Sequence, residues 1–282
     1  MHINWVTNAQ LCDIIRNNLW KLPRDIDGII CVPRGGLFVG SIIAEFLHKP
    51  LYTPTSFLEG NTLGNGLALS NTRTNFNKYL VIDDSTSSGN SFKNIQQLFL
   101  DRSEQFIYVA AIGAKQDMPY CDIILDCVEE FRLFELNFFR SSWVCHCIFD
   151  IDGVLCKDPQ PGIDLDEEKY INHLNNVEPL YLPQFPILSL CSHRLMKYAS
   201  QTQQWLKKYN IEYNMLYLLD FNSIEEKLEK INSPELLNMK SWVYKQYPNA
   251  LMFVESNFEE AKRIFQNTNR PILCIEKNII LQ

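Results

Sequence analysis

The chain has 282 residues, 46% of them apolar, and a net charge of −7 from 26 basic and 33 acidic side chains. That length and apolar content fit two globular domains with their own cores better than one small domain. An acidic chain without a Lys/Arg run lacks the basic stripe of a nucleic-acid binder, so no nucleic-acid partner is expected, whereas phosphorylated small molecules need only a few backbone N–H groups and one cation.

Residues 8–19 predict an amphipathic helix, capped at Asn8, with Leu11, Ile14, Ile15 and Leu19 at helical spacing and Pro23 beyond its end. Residues 28–32 read as a short buried strand, Pro33-Arg34-Gly35-Gly36 as a tight loop, and 37–47 as a helix. Residues 57–77 are polar, rich in Gly, Asn and Thr, and without a clear period. A long mobile loop, or a ragged hairpin, is expected there, and loops of that length are often functional lids. A strand at 79–83, a loop of small residues and a helix to about residue 100 follow. Further strands are expected at 106–111, 123–127 and 131–136.

A second series opens with a strand at 143–150. It continues with strands at 186–192, 213–219, 250–255 and 271–276 and helices at 195–209 and 234–247. Alternating strands and helices predict an α/β fold with a doubly wound layer in each half. The domains are placed at 1–140 and 143–282. The short boundary near 139–143 has no Gly/Ser or Pro-rich linker, which predicts packed domains rather than a flexible tether.

Nine cysteines include no Cys-x-x-Cys pair. Cys145-His146-Cys147 falls in a predicted strand, whose alternation sends both sulfurs to one face, so buried small residues are favoured there over a zinc site. Free thiols and no signal peptide imply a cytoplasmic location, and no apolar run reaches membrane-spanning length.

Two stretches carry chemistry. In the first, Tyr79-Leu80-Val81-Ile82 delivers Asp83 and Asp84 to the carboxyl end of a strand, where open α/β sheets bind ligands. Adjacent carboxylates suit a vicinal diol. Thr86, Ser87, Ser88, Gly89, Asn90 and Ser91 then turn into a helix, and small residues let backbone N–H groups approach a phosphate at its N-terminus. A plain Ser-rich helix cap would not explain the double acid in register with the glycine.

This stretch resembles the type I phosphoribosyltransferases, whose fingerprint is a strand, two acids, three variable residues and Thr-Gly-x-Thr. Asp83, Asp84, Ser88, Gly89 and Ser91 match it, with Ser twice replacing Thr. The resemblance implies that Asp83 and Asp84 hold the ribose hydroxyls of phosphoribosyl diphosphate (PRPP) and that the segment from Thr86 to Ser91 holds its 5-phosphate. It further implies a diphosphate loop, for which Arg34, Gly35 and Gly36 are well placed, with a non-proline cis peptide. The lid would fall at 57–77. Arg73 and Lys78 are candidate diphosphate contacts, or else solvated surface charges. Ser87 stands where purine-specific members carry an acid, and no hood segment follows Leu136, which argues against a purine acceptor and against a free base.

In the second stretch, Cys147-Ile148-Phe149 leads into Asp150-Ile151-Asp152-Gly153-Val154. Alternation puts Asp150 and Asp152 on one side of the strand end, as nucleophile and proton donor require. Mg2+ suits so oxygen-rich a site, whereas a calcium loop would need further acids where Val154, Leu155 and Cys156 stand.

The stretch resembles the haloacid dehalogenase-like (HAD) phosphatases. The resemblance implies catalytic roles for Asp150, Asp152, Ser192 and Lys240, with Arg194 close by, and a metal site of Asp150, Asp152 and Glu255. That superfamily usually offers two acids in its fourth motif; Glu255-Ser256-Asn257 offers one. Only 39 residues separate Asp152 from Ser192, and 14 separate Lys240 from Glu255. Neither gap holds a folded cap, so the fold expected is two Rossmann-like domains, a phosphoribosyltransferase fold and then a capless HAD-like fold.

The two domains in this order look like the ribofuranosyl transferase–phosphatase systems of bacterial surface-polysaccharide synthesis. That likeness implies transfer of ribofuranose 5-phosphate from PRPP to a glycan hydroxyl, with release of diphosphate, followed by hydrolysis of the 5-phosphate. The partners are then PRPP and a glycan acceptor, lipid-linked or free, without membrane insertion; an open site also admits cover by a second copy in a homo-oligomer. Asp83, Asp84 and Glu135 are candidate bases for the transfer. The alternatives are a nucleobase phosphoribosyltransferase with an attached phosphatase, and a regulatory protein that senses PRPP.

Overall fold

A computed structural model describes residues 2–64, 76–230 and 232–282. The chain divides into two compact units, Val6–Arg132 and a second made of Met1–Trp5 with Leu133–Gln282. The division differs from the expected 1–140 and 143–282 at both ends. Trp5 explains the first difference: its indole donates to Asn278 Oδ1 at 2.8 Å and packs edge-on against Phe138. The backbone of Ile3 bonds the Gln282 side chain in both directions. So short a segment has no period from which such long-range pairing could be read.

β1 (Asn4–Val6) leads into α1 (Asn8–Asn18). Thr7, not Asn8, is the cap: its hydroxyl accepts from the Gln10 N–H while the Gln10 side chain accepts from the Thr7 N–H. This reciprocal pair satisfies two helix-end donors. Leu11 and Ile15, one turn apart, form the buried face. β2 (Gly28–Cys31) is buried throughout. There follow α2 (Gly35–Leu47), β3 (Leu51–Tyr52), α3 (Pro54–Leu58), β4 (Lys78–Thr86), α4 (Asn90–Leu98), β5 (Gln105–Gly113), β6 (Ile123–Cys127) and β7 (Arg132–Phe134), the last paired with β1.

The sheet of the first unit has the order β3-β2-β4-β5-β6 and is parallel throughout. β3 lies on one side of β2 and β4 on the other, so the winding reverses between β2 and β4. Their carboxyl ends therefore border the crevice where such sheets bind ligands. Phe57, Phe92, Phe99 and Tyr108 pack α3 and α4 onto β4 and β5, with Phe99 stacked on Phe106 at 4.4 Å. β4 runs past the expected end at residue 83, because β5 continues beside it and pairs Ser85 with Ile112 and Thr86 with Gly113. α3 occupies the start of the expected loop at 57–77. Residues 65–75, with Arg73, lie outside the described residues.

The second unit begins its main sheet at β8 (Cys147–Phe149). A 3-10 turn at Ser142–His146 takes the place of the first half of the expected strand. Cys145 therefore does not alternate with Cys147 along a strand. Next come α5 (Glu167–Asn176), β9 (Ser189–Leu195), α6 (Ala199–Lys208), β10 (Leu216–Leu219), α7 (Ile224–Glu229), α8 (Pro234–Gln246), β11 (Met252–Glu255), α9 (Phe258–Thr268), β12 (Ile272–Cys274) and β13 (Ile279–Leu281). The order is β10-β9-β8-β11-β12-β13, parallel except for β13.

β8 lies at the reversal, with later strands on both sides. Two apolar clusters make up its core: Val243, Tyr244, Phe253 and Ile264 in one, Tyr170, Leu174, Tyr198 and Leu236 in the other. Strands buried on both faces read as unbroken apolar runs. β9 extends to Leu195, beyond the expected end at Ser192. Sequence reading missed α5, which Asp166 caps and which buries Tyr170 and Leu174 one turn apart. No helix of the described residues is long and apolar enough to cross a membrane.

Candidate active sites

In the first unit, β2 leads into the Pro33–Arg34 peptide, which is cis, as the resemblance implies. α2 starts at Gly35, directly against the acidic pair. A Cβ on Gly35 would lie 2.3 Å from the Asp84 carboxyl carbon, and one on Gly36 would lie 2.4 Å from the Ile82 carbonyl oxygen. Only glycine allows this approach. The structure thus brings Gly35 and Gly36 against Asp84 and Asp83, with Arg34 directly before them in the chain.

Asp83 is 7% exposed. Burial first, and then the neighbouring Asp84, push its carboxyl up to about 8, although its Oδ1 accepts from the Asp84 N–H at 2.9 Å. A neutral carboxyl both donates and accepts, which suits a diol. The raised value also predicts a pH effect. Unfolded, Asp83 titrates near about 4. Stability tied to its protonated form is therefore complete below that pH and is lost as pH rises through about 8. Asp83→Asn is expected to raise the unfolding temperature increasingly between those limits. A constant offset in thermal scans from acid to alkaline pH would contradict this.

Past Thr86, Gly89 adopts φ 74° at the head of α4, and a Cβ there would meet the Pro119 carbonyl oxygen at 2.1 Å. The Gly89 turn lets Ser88, Asn90 and Ser91 gather at the helix start, where free N–H groups favour an anion. Lys78 lies elsewhere. It opens β4 and pairs with Asp25 at 2.5 Å. Five residues of strand, about 16 Å, separate it from Asp83, so of its two expected readings the surface charge applies, as an ion pair with Asp25. Glu135 lies in the second unit.

Sequence reading missed Arg132 and Glu130. The Arg132 guanidinium is buried, and its Nη2 donates to the Thr86 carbonyl at 3.1 Å, Ser87 Oγ at 2.6 Å and Glu130 Oε1 at 2.5 Å. Ser87 Oγ in turn donates to Glu130 Oε1 at 2.7 Å.

In the second unit, Asp150 follows β8 and is 6% exposed. Lys240 reaches it from α8: Nζ donates to Asp150 Oδ2 and Glu255 Oε2 at 2.7 Å each and to Glu260 Oε2 at 2.5 Å. Three carboxylates around one ammonium leave an excess of negative charge in a buried place. Burial raises Asp150, with Glu255 and Asp152 adding to it against the pull of Lys240. Burial likewise raises Glu255. On Lys240, burial is outweighed by Asp150, Glu255 and Glu260, which hold its ammonium well above the ordinary range.

Asp152 has a different partner. Arg194, itself buried, donates to Asp152 Oδ1 at 2.6 Å and to Oδ2 at 2.9 Å, a two-pronged pair. Burial would raise Asp152, but Arg194 outweighs it and keeps the carboxyl below the ordinary range. Ser192 Oγ donates to the same carboxylate at 3.5 Å. Of the expected metal set Asp150, Asp152 and Glu255, Asp152 has both carboxylate oxygens engaged by Arg194. The three carboxylates that converge among the described residues are Asp150, Glu255 and Glu260, with oxygens within 4.8 Å of one another. Glu260 is a further acid at this place, from outside the stretch Glu255-Ser256-Asn257. Its signal was the cap Asn257 followed by Glu259 and Glu260 in the first turn of α9.

Solved structures overlap the chain at low similarity. Helicobacter pylori xanthine-guanine-hypoxanthine phosphoribosyltransferase matches 47% of this chain and 92% of its own, at 17% identity and a TM-score of 0.37. A purine phosphoribosyltransferase from Pyrococcus horikoshii matches 48% of this chain and 93% of its own, at 18% identity and a TM-score of 0.33. A chain of a Pnkp1/Rnl/Hen1 complex matches 96% of this chain and 94% of its own, at 13% identity and a TM-score of 0.32. No family model matches the chain, and no curated protein is significantly similar to it. None of these overlaps assigns a chemistry, which must come from the residues themselves.

Proposed function

We propose that the chain transfers ribofuranose 5-phosphate from PRPP to a glycan hydroxyl in the unit Val6–Arg132 and removes the 5-phosphate in the unit containing Leu133–Gln282. One observation carries this reading. In each unit an acidic pair borders the carboxyl end of a sheet at the reversal of strand order, with the groups its chemistry needs alongside: glycines and Arg34 at Asp83 and Asp84, Lys240 and Glu260 at Asp150.

In the transfer, Asp83 and Asp84 hold the ribose hydroxyls, and the turn from Thr86 to Ser91 receives the 5-phosphate. Arg34 neutralises the departing diphosphate as C1 becomes oxocarbenium-like. In the hydrolysis, Asp150 attacks phosphorus as the bond from phosphorus to the sugar oxygen breaks, Lys240 offsets charge on the phosphoryl oxygens, and water then cleaves the aspartyl-phosphate to release phosphate. Both oxygens of Asp152 are engaged by Arg194, so proton donation by Asp152 requires that pair to open. The acid-rich oxygen donors Asp150, Glu255 and Glu260 fit a hard divalent cation and would hold Mg2+. Bound there, it would neutralise charge on the phosphoryl group.

The test follows diphosphate release from PRPP offered methyl glycosides, hypoxanthine or orotate, and phosphate release from p-nitrophenyl phosphate with and without Mg2+. The expected result is diphosphate release with a glycoside alone, and hydrolysis that requires Mg2+. Release with hypoxanthine or orotate would favour a nucleobase enzyme. PRPP binding with neither release would favour a sensor.

A further inference from the structure

The acceptor hydroxyl needs a group to take its proton, and a buried arginine bonded to the turn that follows Asp83 and Asp84 leads to one. Arg132, its side chain 3% exposed, holds a carboxylate that is 52% exposed, that of Glu130. The pair is tied into the connection between the acidic pair and the 5-phosphate turn. Arg132 also donates to the Thr86 carbonyl and to Ser87 Oγ, and Ser87 Oγ donates to Glu130. All the bonds to this carboxylate use Glu130 Oε1. Among the described residues, Oε2 has no hydrogen-bond donor, and it belongs to a half-exposed side chain.

We propose that Glu130 Oε2 binds the acceptor's hydroxyl and takes its proton. The inference rests on the phosphoribosyl-transfer reading of this unit. Arg132 and Ser87 fix one oxygen and so orient the other, as a base requires. The acceptor oxygen forms its bond to ribose C1 while the bond from C1 to the diphosphate oxygen breaks with its electron pair. The hydroxyl proton passes to Glu130 Oε2 and then to solvent. A carboxylate suffices as base when the carbon is oxocarbenium-like and the proton leaves late. Glu130 thus brings an acid to that turn from a different loop.

The experiment compares wild type with Glu130→Gln, in the full chain, using PRPP as donor and methyl glycosides as the hydroxyl probe. Glutamine keeps an acceptor oxygen for Ser87 and Arg132 and loses the base. The expected result is a fall of about 100-fold in kcat for diphosphate release, loss of the acid limb of the pH–rate profile, and unchanged PRPP affinity by equilibrium dialysis. A variant that keeps the rate and the acid limb overturns the inference. So does one whose loss is confined to PRPP affinity, because Glu130 would then only brace the 5-phosphate turn. A wild-type protein that binds no PRPP overturns the transfer reading itself, and this inference with it.

Discussion

Asp150→Asn is expected to lower phosphate-monoester hydrolysis by about 10⁴-fold or more, while diphosphate release from PRPP keeps its rate. An amide of the same shape cannot form the aspartyl-phosphate that the hydrolysis requires. The fold should survive. The amide oxygen introduced by the change still accepts from Lys240, and one of three crowded carboxylates has been removed, so the unfolding temperature should hold or rise. Hydrolysis of p-nitrophenyl phosphate, scored beside thermal unfolding, checks both halves. A loss below about tenfold in a folded variant would mean that Asp150 is not the nucleophile.

Lys240→Met is expected to be the most destabilising single change at this site. It leaves Asp150, Glu255 and Glu260 buried or half-buried without the ammonium that all three share. Removing one partner of a buried ion pair costs about 3–5 kcal/mol. The loss should depend on pH in a definite sense. Asp150 and Glu255 are already raised by burial, and without Lys240 they rise further. Carboxyls raised in the folded state contribute stability that is complete below their unfolded values, about 4, and that is lost as pH rises through the folded ones. Urea unfolding should therefore show a large deficit at neutral pH and a smaller one in acid. An equal deficit at both would assign the effect of Lys240 to packing.

Both acidic pairs were legible because each is local in sequence and follows an apolar run. The glycines at 35 and 36 were legible for a related reason: a turn that must pass close to another chain segment excludes a Cβ. What escaped depends on topology. Glu260 meets Lys240 only because α9 folds back beside β11, and Arg132 meets Ser87 across a sequence separation of 45. Lys78 was ambiguous for the converse reason. It is near Asp83 in sequence, but an extended strand carries the two to opposite ends. The Arg194–Asp152 pair was half legible. Arg194 was noticed beside Ser192, but its hold on both oxygens of Asp152 could not be read from spacing.

The coupling of two chemistries is the central claim, and mass analysis of the acceptor tests it most directly. Wild type and Asp150→Asn are each incubated with PRPP, Mg2+ and a panel of glycans. The variant should leave a pentose that still carries its phosphate on the glycan, and the wild type should leave the same pentose without it. A nucleotide as the only product, or no pentose on any glycan from either protein, would contradict the account.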